Sequence, residues 1–126
     1  MKYTRTGVAG VTIVEIEPHR DHRGFFARSF CADEFADYRL NCTVAQTNIS
    51  FNCTRGTLSG LHRQKPPYAE AKLVRCTRGA IVDVAVDVRP DSRTYGEHVM
   101  VYLSADNHRA LFLPPYVARG FQTLAD

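Results

Sequence analysis

His62 closes a glycine-punctuated approach, RGTLSGLH over 55–62, and Lys72 follows within the same stretch of chain. A neutral imidazole beside a cation is a general base suited to a carbon acid. An ammonium group nearby would stabilise the enolate oxygen that develops when the proton leaves. The other histidines (His19, His22, His98 and His108) fall in loops or at strand ends and read as surface residues. Thirteen of the 16 basic residues are Arg, whose planar fork suits phosphate or carboxylate, so an anionic ligand is expected. A genomic bias toward Arg codons would give the same excess. The net charge of +3 is too small to argue for nucleic acid.

Positioning these groups falls to short strands. The segments 11–16, 24–30, 43–51, 71–76, 80–88, 98–103 and 110–113 are β-branched or alternating, with Gly, Pro, Asn and Asp breakers between them. One short helix is predicted over 32–39, with Phe35 and Ala36 inward. Many short strands in one chain of 126 residues predict a single all-β domain, a sandwich or barrel. At 44% hydrophobic and 23% charged, the composition is globular. No apolar run approaches a membrane span, and the first residues hold no apolar signal core, which points to the cytoplasm. The four cysteines lack CxxC spacing and read as small core residues.

Strand parity refines the expectation. In 43–51, Val44, Gln46, Asn48 and Ser50 form a polar row without charge, suited to the inside of an open barrel that holds a ligand. Lys72 shares a face with Val74 and Cys76, and Asp83 and Asp87 share one with Ile81 and Ala85. Gly56 and His62 fit the opening of the metal-binding pattern of cupin barrels, but Gln64 takes the place of its second His. In the second pattern Tyr116 replaces Gly and Arg119 replaces His. One imidazole of three does not make a transition-metal site, and Arg, always protonated, does not ligate. No metal or other cofactor is expected.

The motifs PHRDHRGFFARSF (18–30), AQTNISFN (45–52), RGTLSGLHRQ (55–64), EAKLVRCTRGAIVDVAVDVR (70–89) and LPPYVARGFQTL (113–124) resemble, in order and over nearly the whole chain, the dTDP-4-dehydrorhamnose 3,5-epimerases. These are metal-free cupin epimerases of nucleotide-linked keto sugars. The resemblance implies an all-β cupin-type jelly roll, the double-stranded β-helix. It implies inversion at C3 and/or C5 of a dTDP-4-keto-6-deoxy sugar in deoxysugar or rhamnose biosynthesis. The keto group at C4 acidifies the protons at C3 and C5; His62 would remove a proton, Lys72 would hold the enolate, and a Tyr on the other ring face would return a proton. Arg23 and Phe26 match positions that reach the neighbouring subunit's nucleotide, which implies a homodimer with strand exchange. Gln46 and Asn48 match the family's ligand-binding amides.

The sequence departs from that family at Ser59, where a diphosphate-binding Arg is usual, at Arg28 (Glu), Tyr116 (Gly) and Arg119 (His). Ser59 and Arg119 are therefore the substrate-binding positions where this chain differs. Arg119 is expected either to recover part of the diphosphate contact or to lie in a surface salt bridge. Family members continue beyond position 126, and their donor Tyr and the carboxylate that orients the His lie there. The domain over 1–126 is thus expected to lack the family's C-terminal part and to carry an open sheet edge. The alternatives to an epimerase are a catalytically impaired sugar-nucleotide-binding cupin and a structural cupin of unknown ligand.

Overall fold

Alternating and β-branched runs form ten strands in the computed structural model, which describes residues 1–126. They are β1 (Lys2–Arg5), β2 (Thr12–Glu15), β3 (His19–Asp21), β4 (Gly24–Phe26), β5 (Leu58–His62), β6 (Lys72–Arg75), β7 (Ala80–Asp87), β8 (His98–Ser104), β9 (Ala110–Leu113) and β10 (Val117–Thr123). The single helix, α1, spans Ala32–Asp37. Two four-stranded antiparallel sheets result, ordered β1-β2-β9-β6 and β5-β10-β7-β8; β3 and β4 form a separate hairpin. The all-β, cupin-type architecture expected from the sequence is the one observed.

The core lies between the sheets. Leu111 and Leu113 of β9 meet Ala85 of β7, Val101 and Leu103 of β8 and Val117 of β10. The alternate residues of β9, Ala110 and Phe112, face the other way and pack with Val14, Phe35 and Leu40. Strand β9 is therefore buried on both faces, which is why ALFL reads as a continuous apolar run. Phe35 seats α1 through edge-to-face contacts with Phe112, Phe30 and Tyr3. Ala36, expected inward, is exposed, because six helical residues present only a narrow stripe.

Several sequence expectations are corrected. Residues 43–51 form no strand: all nine are exposed and none joins a sheet. The alternation there is real, but no edge of either sheet takes it up. The predicted strand over 24–30 shortens to Gly24–Phe26, paired only with β3. The cysteines are free and none is fully buried; Cys53 is exposed, and only Cys42 and Cys76 pack against core side chains.

The inward carboxylate at the end of β7 organises a loop. Asp87 is fully buried and accepts from the Arg89 backbone N–H at 3.1 Å, from Arg89 Nε and Nη2 at 2.9 Å each, and from the hydroxyls of Ser92 and Thr94. Arg89 Nη2 also donates to the Ala9 carbonyl at 2.7 Å, tying the N-terminal turn to this end of the sheet. The Arg89 guanidinium and the two hydroxyls hold the Asp87 carboxyl well below the usual carboxylate range. Between that value and the unfolded one near 4, the unfolded chain binds the extra proton. Asp87 thus contributes its full stabilisation above about pH 4 and loses it as pH falls toward the folded value. Asp87→Asn should cost about 3 kcal/mol at neutral pH and flatten the fall in stability below about pH 4, as read by urea melts across that range.

Candidate active site

Register decides which side chains share the interior. On β10, Arg119 lies opposite Ala85 of β7 and opposite His62 of β5, while Phe121 lies opposite Asp83 and Ser59. Directly paired residues project to the same face. Ala85 is a core residue, so Arg119, His62, Asp83, Phe121 and Ser59 all lie on the inner face of their sheet. In the other sheet, Lys72 is paired with the buried Leu113, and Val74 on the same side packs on the core. Lys72 therefore faces inward from the opposite sheet, on the strand face predicted for it.

Between Arg119 and Phe121 the pairing of β10 with β5 slips, and this bulge puts Ser59 and His62 on one side. Ser59 Oγ and His62 Nε2 are 3.4 Å apart. The slip also needs glycine at the crossing. Gly60 has φ +102°, and a Cβ there would lie 2.6 Å from Gly120 Cα and 2.7 Å from the Arg119 carbonyl. The strand carrying His62 is thus held against β10 by backbone contact that no larger residue admits.

Arg119 is neither a free anion-binding fork nor a surface salt bridge. Its Nε donates to both oxygens of Asp83, at 3.1 and 2.9 Å, and Nη2 donates to Oδ2. Asp83 is fully buried, so the pair is internal, and its guanidinium lies over the Phe121 ring at 5.1 Å. Burial pushes the Asp83 carboxyl above its usual range, and the Arg119 guanidinium pulls against that shift. Parity on β7 predicted that Asp83 and Asp87 point the same way, and they do; each is spent on a different arginine.

A narrow cavity, with room for about one water molecule, is lined by Lys72, Arg63, Gln64, Glu70, Tyr116 and Arg119, among others. It gathers two arginines, Arg63 and the Asp83-paired Arg119, beside Lys72, the electrostatics that an enolising ligand requires. Tyr116, Arg63 and the buried Asp83 lie within the quoted motifs but were not expected as residues of this site. The signals that could have found them are the Tyr at the Gly position just before β10, the Arg following His62, and an acidic residue inside an apolar strand. No three His, Cys, Asp or Glu side chains converge as a metal site would require.

Gln46 and Asn48, expected on a strand beside His62, are exposed in the irregular segment and do not line this cavity. Arg23 and Phe26 lie apart as well. Arg23 pairs with Asp21 at 2.8 Å on the β3–β4 hairpin, and Phe26, 78% exposed, lines a second depression with Arg28, Glu34 and His19. Arg28, where the family usually has Glu, pairs with Glu34 at 2.8 Å.

Comparison with known proteins gives one answer. The profile of the family described as dTDP-4-dehydrorhamnose 3,5-epimerase matches residues 5–126. The chain is similar to the dTDP-4-dehydrorhamnose 3,5-epimerase of Escherichia coli K12, at 44% identity over all of this chain and 68% of that protein. Among solved structures, the dTDP-4-dehydrorhamnose 3,5-epimerase of Elizabethkingia anophelis superposes with a TM-score of 0.94 at 38% identity, covering 99% of this chain and 68% of that one. The Bacillus anthracis enzyme, solved with TDP and PPi bound, superposes with a TM-score of 0.92 at 39% identity, over 98% and 71%. The chain thus spans about two thirds of the length of these relatives.

The internal pair generates a test of its own. Arg119→Met leaves the Asp83 carboxylate buried without a cation and should cost about 3–5 kcal/mol in urea denaturation. Replacing both, Asp83→Leu with Arg119→Met, should recover most of that loss. Single losses that simply add in the double variant would show that the two side chains do not act as a pair.

Proposed function

This chain belongs to the dTDP-4-dehydrorhamnose 3,5-epimerase family, and from that premise we propose that His62 and Lys72 carry its isomerase chemistry on a dTDP-linked 4-keto-6-deoxy sugar. The observation that carries the reading is their arrangement. His62 stands on the inner-facing side of one sheet, exposed and hydrogen-bonded to Ser59 outside the lining of the Lys72 cavity, and Lys72 stands half-buried on the inner side of the other, without a metal ligand set. His62 takes the proton from the carbon beside the keto group. The electron pair moves onto the C4 oxygen, where Lys72 stabilises the enolate. Return of a proton from solvent to the opposite face inverts the centre. Arg63 supplies positive charge for the diphosphate beside the sugar, and the Bacillus anthracis relative was solved with TDP and PPi. The matched relatives are epimerases, which favours turnover over a binding-only role.

His62→Asn and Lys72→Ala should each lower inversion of the keto sugar at least ~100-fold in an NMR assay of the product, while dTDP binding by calorimetry stays within a few-fold. Loss of dTDP binding in both would place these residues in nucleotide binding instead.

The same reading includes a homodimer. Arg23 and Phe26 stand outside the Lys72 cavity, on an exposed hairpin that can serve a partner subunit's site. Val44, Ile49 and Phe51 are exposed on a segment with no strand partner, and Leu58 and Leu61 are exposed on the edge strand β5. Exchange of strands between two copies covers such edges and apolar side chains. Light scattering should give a dimer at micromolar concentration; a monomer throughout that range would contradict it. No helix is long and apolar enough to cross a membrane.

A further inference from the structure

Tyr116 occupies the turn that joins the two sheets. Leu113, three residues before it, is the register partner of Lys72; Arg119, three residues after it, is the register partner of His62. The turn therefore spans from the strand beside the proposed enolate-holding group to the strand beside the proposed base. Tyr116 has φ +72°, left-handed backbone that is uncommon for any residue but glycine and an outlier for a bulky one. The residue is 38% exposed and lines the cavity with Lys72, Arg63 and Glu70. A half-exposed ring gives the core little in return for this conformation. Strained positions of this kind persist where the surroundings fix them, and they cluster at ligand sites.

We propose that Tyr116 is a specificity residue whose ring forms the wall of the Lys72 cavity against which the hexose of the sugar nucleotide packs. The proposal rests on the epimerase reading of the same site. It adds which part of the ligand this residue senses. Lys72 is the proposed enolate-holding group, so a ring beside it at the mouth of the same narrow cavity meets the sugar rather than the nucleoside. A phenol ring offers a flat apolar face, and a pyranose offers an apolar face of C–H groups; the 6-deoxy methyl adds to that apolar surface. A glycine here would relieve the backbone and leave the wall open. The sequence keeps the strained aromatic instead.

The test is calorimetric titration of the whole chain with dTDP and with a dTDP-linked 6-deoxyhexose. Tyr116→Gly should weaken binding of the sugar nucleotide roughly fivefold to tenfold and leave dTDP binding unchanged. The melting temperature of this variant should equal or exceed that of the parent, because glycine adopts the backbone without strain. Tyr116→Phe, which restores the ring, should recover the lost affinity. The proposal is overturned if Tyr116→Gly binds both ligands as the parent does, or loses both equally. It is also overturned if Tyr116→Phe binds the sugar nucleotide as poorly as the glycine variant does. If the parent binds dTDP with no gain from the sugar, this proposal fails and the nucleotide site stands. If the parent binds neither ligand, the epimerase reading fails with it.

Discussion

Strand β10 is paired along its whole length with β7 and over part of its length with β5, and that double pairing fixes where every interior group of its sheet points. A slip of one residue against β7 would turn Arg119 out and leave Asp83 buried without its cation. The ion pair thus opposes the wrong register as well as bridging two strands. On the other side, the Gly60–Gly120 crossing and the bulge place Ser59 and His62 on the inner face. Arg119, His62 and their neighbours stand on one face of the sheet because one strand is held on both edges.

The second sheet reaches the same interior through β9. Its alternate residues are buried on opposite faces, one set against α1 and the other against β7, β8 and β10. Because β9 is anchored this firmly, its edge partner β6 can carry a lysine inward at Lys72, opposite Leu113. A half-buried ammonium at the edge of a packed core keeps access to water and ligand while its strand stays rigid. The catalytic pair proposed for this family member is therefore the meeting of two strands, β5 and β6, each positioned by a better-buried neighbour.

Much of this was legible in the sequence, for physical reasons that separate the successes from the misses. AIVDVAVDV and ALFL are strong strand signals, and β7 and β9 form over almost the same residues. Parity correctly assigned Lys72 with Val74, and Asp83 with Ala85 and Asp87. Strand β10 was not expected because VARGFQT mixes charge, glycine and amide behind two prolines; its pairing is set by β7, not by local preference. Strand β5 was hidden by Gly60, whose role is a close backbone approach that no single-strand pattern reveals. The segment 43–51 erred the other way. Its alternation reads as a strand, yet a strand needs a partner, and pattern alone does not say whether one is present. The tie between Arg119 and Asp83, 36 residues apart, likewise left no local trace.

The central claim is that His62 and Lys72, carried on the facing sides of the two sheets, do carbon-acid chemistry beside a keto group. Its most direct test is incorporation of solvent deuterium into the dTDP-linked 4-keto-6-deoxy sugar by the unaltered chain in D2O, followed by NMR at C3 and C5. Proton abstraction by His62 predicts that deuterium appears at C3, C5 or both, at a rate lost in His62→Asn. A ligand that binds while C3 and C5 keep their original protons would contradict the claim.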